Sequence, residues 1–177
     1  MTGMDLSPLW ISLKTALVST IITFLTGIAV ARWMVDYRGK MRSFIDGILN
    51  LPLVLPPTVV GFFLLLLFGR YGPIGKVLMK LGMNVIFSWP ATVIAASVVA
   101  FPLLYKTAKG AMEQVDYSIL HAARTLGVTE WRIFWRIMLP LAWPGIAAGT
   151  ILAFARSLGE FGATLMIAGN IQGKTQT

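Results

Sequence analysis

The chain has 177 residues, 56% of them hydrophobic and 12% charged, with a net charge of +8 and no cysteine. A soluble domain carries about 25% charged residues, so this composition, with a mean hydropathy of +0.76, is that of an integral membrane protein. Disulfides, thiolate chemistry and Cys-based metal sites are excluded. The one histidine, His121, cannot build a metal site alone, and no cofactor is implied. The basic residues are spread between apolar runs, as topology signals are, rather than gathered into a nucleic-acid surface.

The N-terminus lacks a basic n-region and carries Asp5. The first apolar run is too long for a signal-peptide core and no A-x-A site follows it, so it is read as a permanent span. A span needs roughly 20 mostly apolar residues. Four segments meet or approach this: about Leu9 to Ala31, Ile45 to Phe68, Ile86 to Tyr105, and Leu139 to Ala155. Lys14 near the start of the first can snorkel to the nearer interface. Trp10, Trp33, Trp89 and Trp143 lie near span ends, where indole rings prefer the headgroup layer.

The loops set orientation. Arg32, Arg38, Lys40 and Arg42 follow the first span, and Lys106, Lys109, Arg124, Arg132 and Arg136 follow the third. The opposite side has Lys14, Arg70, Lys76 and Lys80 before the last span. The excess places the first two groups in the cytoplasm and the N-terminus outside.

The proline-rich stretch of the second span has two readings. Pro52, Pro56 and Pro57 remove backbone donors in the first half of the second span. The result is a packing kink, or a broken helix whose free N–H groups face an anion. Arg156 and Glu160, four apart, interrupt the apolar stretch after Ala155. A charge at the bilayer centre costs about 2.5–3.5 kcal/mol on insertion scales. They therefore sit at the outer interface, pair with each other, or line a wet pathway. Gly145-x-x-x-Gly149 would allow close helix approach. Gly169 to Thr175 has too few residues between its glycines for a phosphate-binding loop, with no strand before it and no helix after. The chain does not bind ATP that way.

The interval from Lys106 to Ile137 is the longest charged one and reads as two short helices. Ile119, Leu120, Ala123 and Leu126 make one apolar stripe, with His121 and Arg124 off it. Gly127 offers a left-handed C-terminus, and Thr129 can cap a second helix carrying Trp131, Ile133, Phe134, Trp135 and Ile137. Pro140 marks entry into the next span. Spacing alone also suits an amphipathic hairpin lying on lipid.

The same interval resembles the EAA loop of ABC-transporter permeases, E-A-A-x3-G-x9-I-x-L-P. His121-Ala122-Ala123 is followed by three residues, then Gly127, then nine residues, then Ile137-Met138-Leu139-Pro140. His121 stands where that family usually has glutamate. Wider segments resemble the molybdate permease family: Asn50 to Gly61, Gly69 to Gly75, and Phe154 to Thr164. Sulfate permeases share part of the last segment.

The resemblance implies an all-α polytopic membrane protein, with about four transmembrane helices present of a five- or six-helix ABC importer permease fold. Residues 1–177 form one permease domain, expected to be incomplete at the C-terminus, and 106–137 form the cytoplasmic coupling loop. It implies non-catalytic transport of molybdate or tungstate across the inner membrane, by alternating access. The implied partners are a cytoplasmic ATPase subunit, an extracytoplasmic molybdate-binding protein, a second permease copy and membrane lipid. His121, Ala122, Ala123, Leu126, Gly127, Phe134 and Pro140 are the expected ATPase-coupling residues. Pro56, Pro57, Arg156 and Glu160 are candidates for the translocation pathway. A sulfate or thiosulfate importer is the nearest alternative. A membrane-embedded enzyme lacks convergent polar residues in its spans, and a simple channel leaves the Lys106–Ile137 loop without a purpose.

Overall fold

A computed structural model describes residues 7–83, 85–171 and 175. Asp5, and the interior of the Gly169–Thr175 stretch at 172–174, lie outside the described residues. Among the described residues, three helices are long and apolar enough to cross a membrane: α1 (Ser7–Asp36), α5 (Trp89–Glu113) and the continuous run Glu130–Leu158. A fourth candidate is the bent pair α2 (Arg42–Val54) and α3 (Pro57–Phe68). Shorter helices are α4 (Pro73–Lys80), α6 (Tyr117–Thr125) and α7 (Glu130–Ile133). A π-turn (Phe134–Met138), α8 (Leu139–Leu158) and α9 (Gly162–Ala168) follow.

The buried stripe of α1 is small and polar: Thr15, Ala16, Ser19, Thr20, Thr23, Gly27, Ala31 and Met34, at helical spacing. Its large side chains, such as Leu17, Ile21 and Leu25, point outward. This inverts the pattern of a soluble helix. Lipid is as apolar as leucine, so helices associate through close packing and interhelical hydrogen bonds instead. Thr15 Oγ1 lies 3.3 Å from Thr92 Oγ1 of α5, and Trp89 Nε1 donates to Thr15 Oγ1 at 3.0 Å. A Cβ on Gly27 would sit 3.0 Å from Leu104. These contacts pair like ends, so α1 and α5 run parallel. Lys14 lies over the Trp89 ring, 4.3 Å from its centroid, which holds its ammonium at that end of the bundle.

Because α1 and α5 run parallel, the chain must return between them, and it does so through the pair α2–α3, bent by 114°. At one end Asp46 Oδ1 accepts from Tyr105 Oη at 2.5 Å and from Lys109 Nζ at 2.8 Å. At the other, Val60 and Leu64 join Ala91 and Ala95, with Phe68 against the same cluster. The expected single span Ile45–Phe68 is thus two helices. The break falls at Leu55–Pro56, both extended with ψ near 140°. Pro57 cannot donate, and its ring excludes a helical conformation at Pro56.

α8 returns antiparallel to α5. The Gly145/Gly149 spacing works as read: a Cβ at Gly145 would stand 2.6 Å from Ala111 Cβ, and one at Gly149 would collide with Thr107. The expected separation between the loop's second helix and the fourth span is absent. The helix runs from Glu130 through the π-turn into α8. Pro140 has no N–H and its ring crowds the carbonyl of Arg136, so one extra residue is accommodated there. The N–H of Leu139 accordingly reaches back five residues to Phe134.

Candidate functional site: the loop between α5 and α8 and the paired helix breaks

α5 ends at Glu113, and Asp116 starts α6 by accepting the backbone N–H of Ser118 at 2.8 Å. That bond holds the Asp116 carboxyl below the ordinary carboxylate range. α6 closes at Gly127, whose φ is +73°. Gly127 N–H donates to Arg124 O at 3.0 Å and Val128 N–H to Ala123 O at 3.1 Å. This is the paired cap that a left-handed glycine permits. Thr129 occupies the next N-cap position with an extended backbone, without a side-chain capping bond.

An ion pair spans this turn. Arg124 Nε donates to Glu130 Oε1 at 2.6 Å and Nη2 to Oε2 at 3.2 Å, which holds the guanidinium pKa above its ordinary value. Glu130 Oε2 also lies 3.8 Å from Arg32 Nη2 of α1. Arg32 pairs with Asp36 and sits 5.6 Å from the Phe134 ring centroid. The turn is therefore tied both to itself and to the first span.

The apolar stripe read from sequence divides. Leu120 and Ala123 are buried with Ile133, Phe134 and Met138 in one cluster against Met34, Tyr105, Ala108 and Met112. Ile119 and Leu126 are exposed, Leu126 at 81%. Of the expected coupling residues, His121, Ala122, Leu126, Gly127 and Pro140 are exposed. Ala123 and Phe134 are buried within the chain and seat the loop on the bundle. His121 stands one turn from Tyr117, ring centroids 6.4 Å apart. Glu130, Arg32 and Asp116 were missed. Asp116 was findable as an acidic residue just before a helical run. The Arg124–Glu130 clamp shows in sequence only as opposite charges either side of a turn glycine.

The four pathway candidates lie at or beside two helix breaks. α8 ends at Leu158, so Glu160 lies past the helix rather than on it. Even so, Arg156 Nη1 reaches Glu160 Oε2 at 2.7 Å. Glu160 Oε1 accepts the backbone N–H of Ala163 at 2.7 Å, at the start of α9. The Glu160 side chain is 1% exposed and that of Arg156 is 30% exposed. A Cβ on Gly162 would lie 3.0 Å from Pro57 Cβ, so the first residues of α9 and α3, each just past a break, pack directly on each other. α3 and α9 then run side by side, with Gly61 against the backbone of Ala163.

Residues 13–175 match the family model described as binding-protein-dependent transport system inner membrane component. The chain belongs to this family. It is 45% identical to the molybdenum transport system permease protein ModB of Haemophilus influenzae, over 98% of this chain and 76% of that protein. It is 46% identical to the protein of the same name from Escherichia coli K12, over 94% and 73%. It is 44% identical to the putative molybdenum transport system permease protein YvgM of Bacillus subtilis, over 97% and 76%. The family and these relatives are transport permeases, not enzymes. Membership makes this chain a multi-pass inner-membrane component of a transport system that works with a substrate-binding protein and an ATPase.

Proposed function

We propose that the chain is the permease subunit of an ATP-driven importer of molybdate, with tungstate as a chemically similar second substrate. The observation that carries the substrate is the identity of 44–46% to molybdenum transport permeases over nearly the whole chain. The permease works as one of two copies and receives molybdate from an extracytoplasmic binding protein. Residues 106–137 form its cytoplasmic coupling loop. Their end of the bundle carries the arginine- and lysine-rich segments, and positive residues stay inside.

Two features support the loop as the ATPase lever. α6 exposes Tyr117, His121 and Leu126 on a rigidly capped helix. Its buried Leu120 and Ala123 belong to one cluster with residues of α1, α5 and the base of α8. A push on α6 is therefore delivered to three spans together, as alternating access by rigid bodies requires. His121 in place of the family's glutamate asks for a partner surface that accepts an imidazole beside Tyr117 rather than a carboxylate.

The pathway lies at the two breaks, with Pro56 and Pro57 at one and the Arg156–Glu160 pair beside the other. Irregular backbone at membrane depth is tolerated only where protein or a wet cavity covers it. Uptake of labelled molybdate, in cells carrying this permease with its ATPase and binding protein, tests the assignment. Competition by tungstate but not sulfate supports it. Uptake that sulfate abolishes at equal concentration reassigns the chain to sulfate import.

A further inference from the structure

The transport reading leaves α4 unused. α3 ends at Phe68 and the chain folds back at once, with Gly72 N–H donating to Gly69 O at 2.8 Å. A Cβ on Gly72 or Gly75 would collide with the carbonyls of Leu66, Leu67, Phe68 or Gly69. Both glycines are buried. α4 is therefore locked across the C-terminal carbonyls of α3, and its outward face is fixed.

That outward face is apolar. Ile74, Val77 and Leu81 share one side of the helix at spacings of three and four residues, and are 39%, 58% and 66% exposed. Lys76 and Lys80 sit one turn apart on an adjoining face, and Arg70 precedes the helix. No acidic residue occurs from Gly69 to Trp89. Just upstream, Phe63, Leu66 and Leu67 of α3 are also exposed, at 42–53%, so the apolar surface runs on from α3, one half of the bent pair that is the fourth candidate span.

We propose that α4 is an interfacial anchor. Its Ile74–Val77–Leu81 stripe enters the boundary between acyl chains and headgroups beside α3, and Arg70, Lys76 and Lys80 take anionic phospholipid headgroups. Apolar stripe, basic flank and absent acids are the signature of a helix lying in a charged interface. A docking ridge for an acidic protein would place the lysines at the crest with the apolar residues packed beneath. Here the glycines are packed beneath and the apolar residues stand outside.

The chain has no cysteine, so single nitroxide labels can be attached at Val77→Cys, Ile74→Cys and Lys80→Cys. Each variant is reconstituted into phosphatidylcholine vesicles with and without phosphatidylglycerol. The labels at 74 and 77 are expected to be more accessible to oxygen than to an aqueous nickel chelate. That preference should shift upward with phosphatidylglycerol and drop when Lys76→Gln and Lys80→Gln are added. The label at 80 should remain open to the chelate. Labels at 74 and 77 that meet the chelate freely in both vesicles overturn the proposal. So does protection that arises only on adding the substrate-binding protein, which would make α4 a protein-docking ridge. The readout needs no transport, so a different transported anion would leave it unchanged.

Discussion

Arg124 and Glu130 clamp the Gly127 turn from both sides, with two hydrogen bonds of 2.6 and 3.2 Å. The bond is partly exposed, and pairs of this kind contribute about 0.2–1 kcal/mol. Glu130→Ala should therefore leave the fold and membrane insertion intact. It should speed hydrogen exchange at the Gly127 and Val128 amides, which complete the cap. The swap of Arg124→Glu with Glu130→Arg should restore much of the protection. Unchanged exchange in the single variant would show that the clamp does not hold the turn.

Gly127 itself is a backbone requirement. Nothing lies within 4 Å of a Cβ placed there, yet its φ is +73°. The cost of substitution is thus conformational, about 1–2 kcal/mol for an ordinary L-residue. Gly127→Val should abolish transport and weaken ATPase association while the protein still inserts. Gly127→Asn, which visits the left-handed region more readily, should retain much of the activity. Equal uptake by the valine variant and the wild type would remove the turn from the coupling role.

The cap at Asp116 predicts a pH dependence. Its carboxyl is held below the ordinary carboxylate range by the Ser118 N–H. A group with a lowered folded pKa stabilises above its unfolded value, about 3.9, and loses that contribution as pH falls through the folded value. Amide protection in α6 should be flat from neutral pH to about 5 and fall only at more acid pH. Asp116→Asn keeps an acceptor without titrating, so it should flatten the acid limb. A drop in protection near pH 6 would implicate another group.

Arg156 and Glu160 predict non-additivity. Removing one partner of a buried pair costs about 3–5 kcal/mol, reduced here because the Arg156 side chain is 30% exposed. Arg156→Met should lower the thermal unfolding midpoint in detergent more than Arg156→Met with Glu160→Gln. The double variant leaves a neutral side chain that still accepts the Ala163 N–H. Greater damage in the double variant would mean that Glu160 serves α9 rather than Arg156.

The spans, their parallel order and the Gly127 turn were legible, because apolar length, loop charge and glycine conformation are local properties. The prolines at 52, 56 and 57 were legible only as a kink or a break, and the 114° angle between α2 and α3 has no local signature. The continuity of Glu130–Leu158 was hidden, since Pro140 reads as a boundary and only the π-turn shows how the helix passes it. The loop's apolar stripe was read as one face. Tertiary packing divides it, because Leu120 and Ala123 are buried in one cluster with Met112 and Tyr105 while Leu126 stays 81% exposed. Ions paired across turns, such as Arg124 with Glu130, have no sequence period and so escaped pattern reading.

The coupling role of α6 turns most directly on where its exposed tip lies. Leu126→Cys in this cysteine-free chain places one thiol beside Gly127 at a position 81% exposed in the wild type. The measurement is cross-linking of that thiol, in inner-membrane vesicles carrying the whole transporter, to the ATPase subunit, with and without ATP. The account predicts one cross-linked species containing the ATPase, changing in yield with ATP, and no labelling by an impermeant thiol reagent added to intact cells. Labelling from outside, with no cross-link to the ATPase, would contradict it.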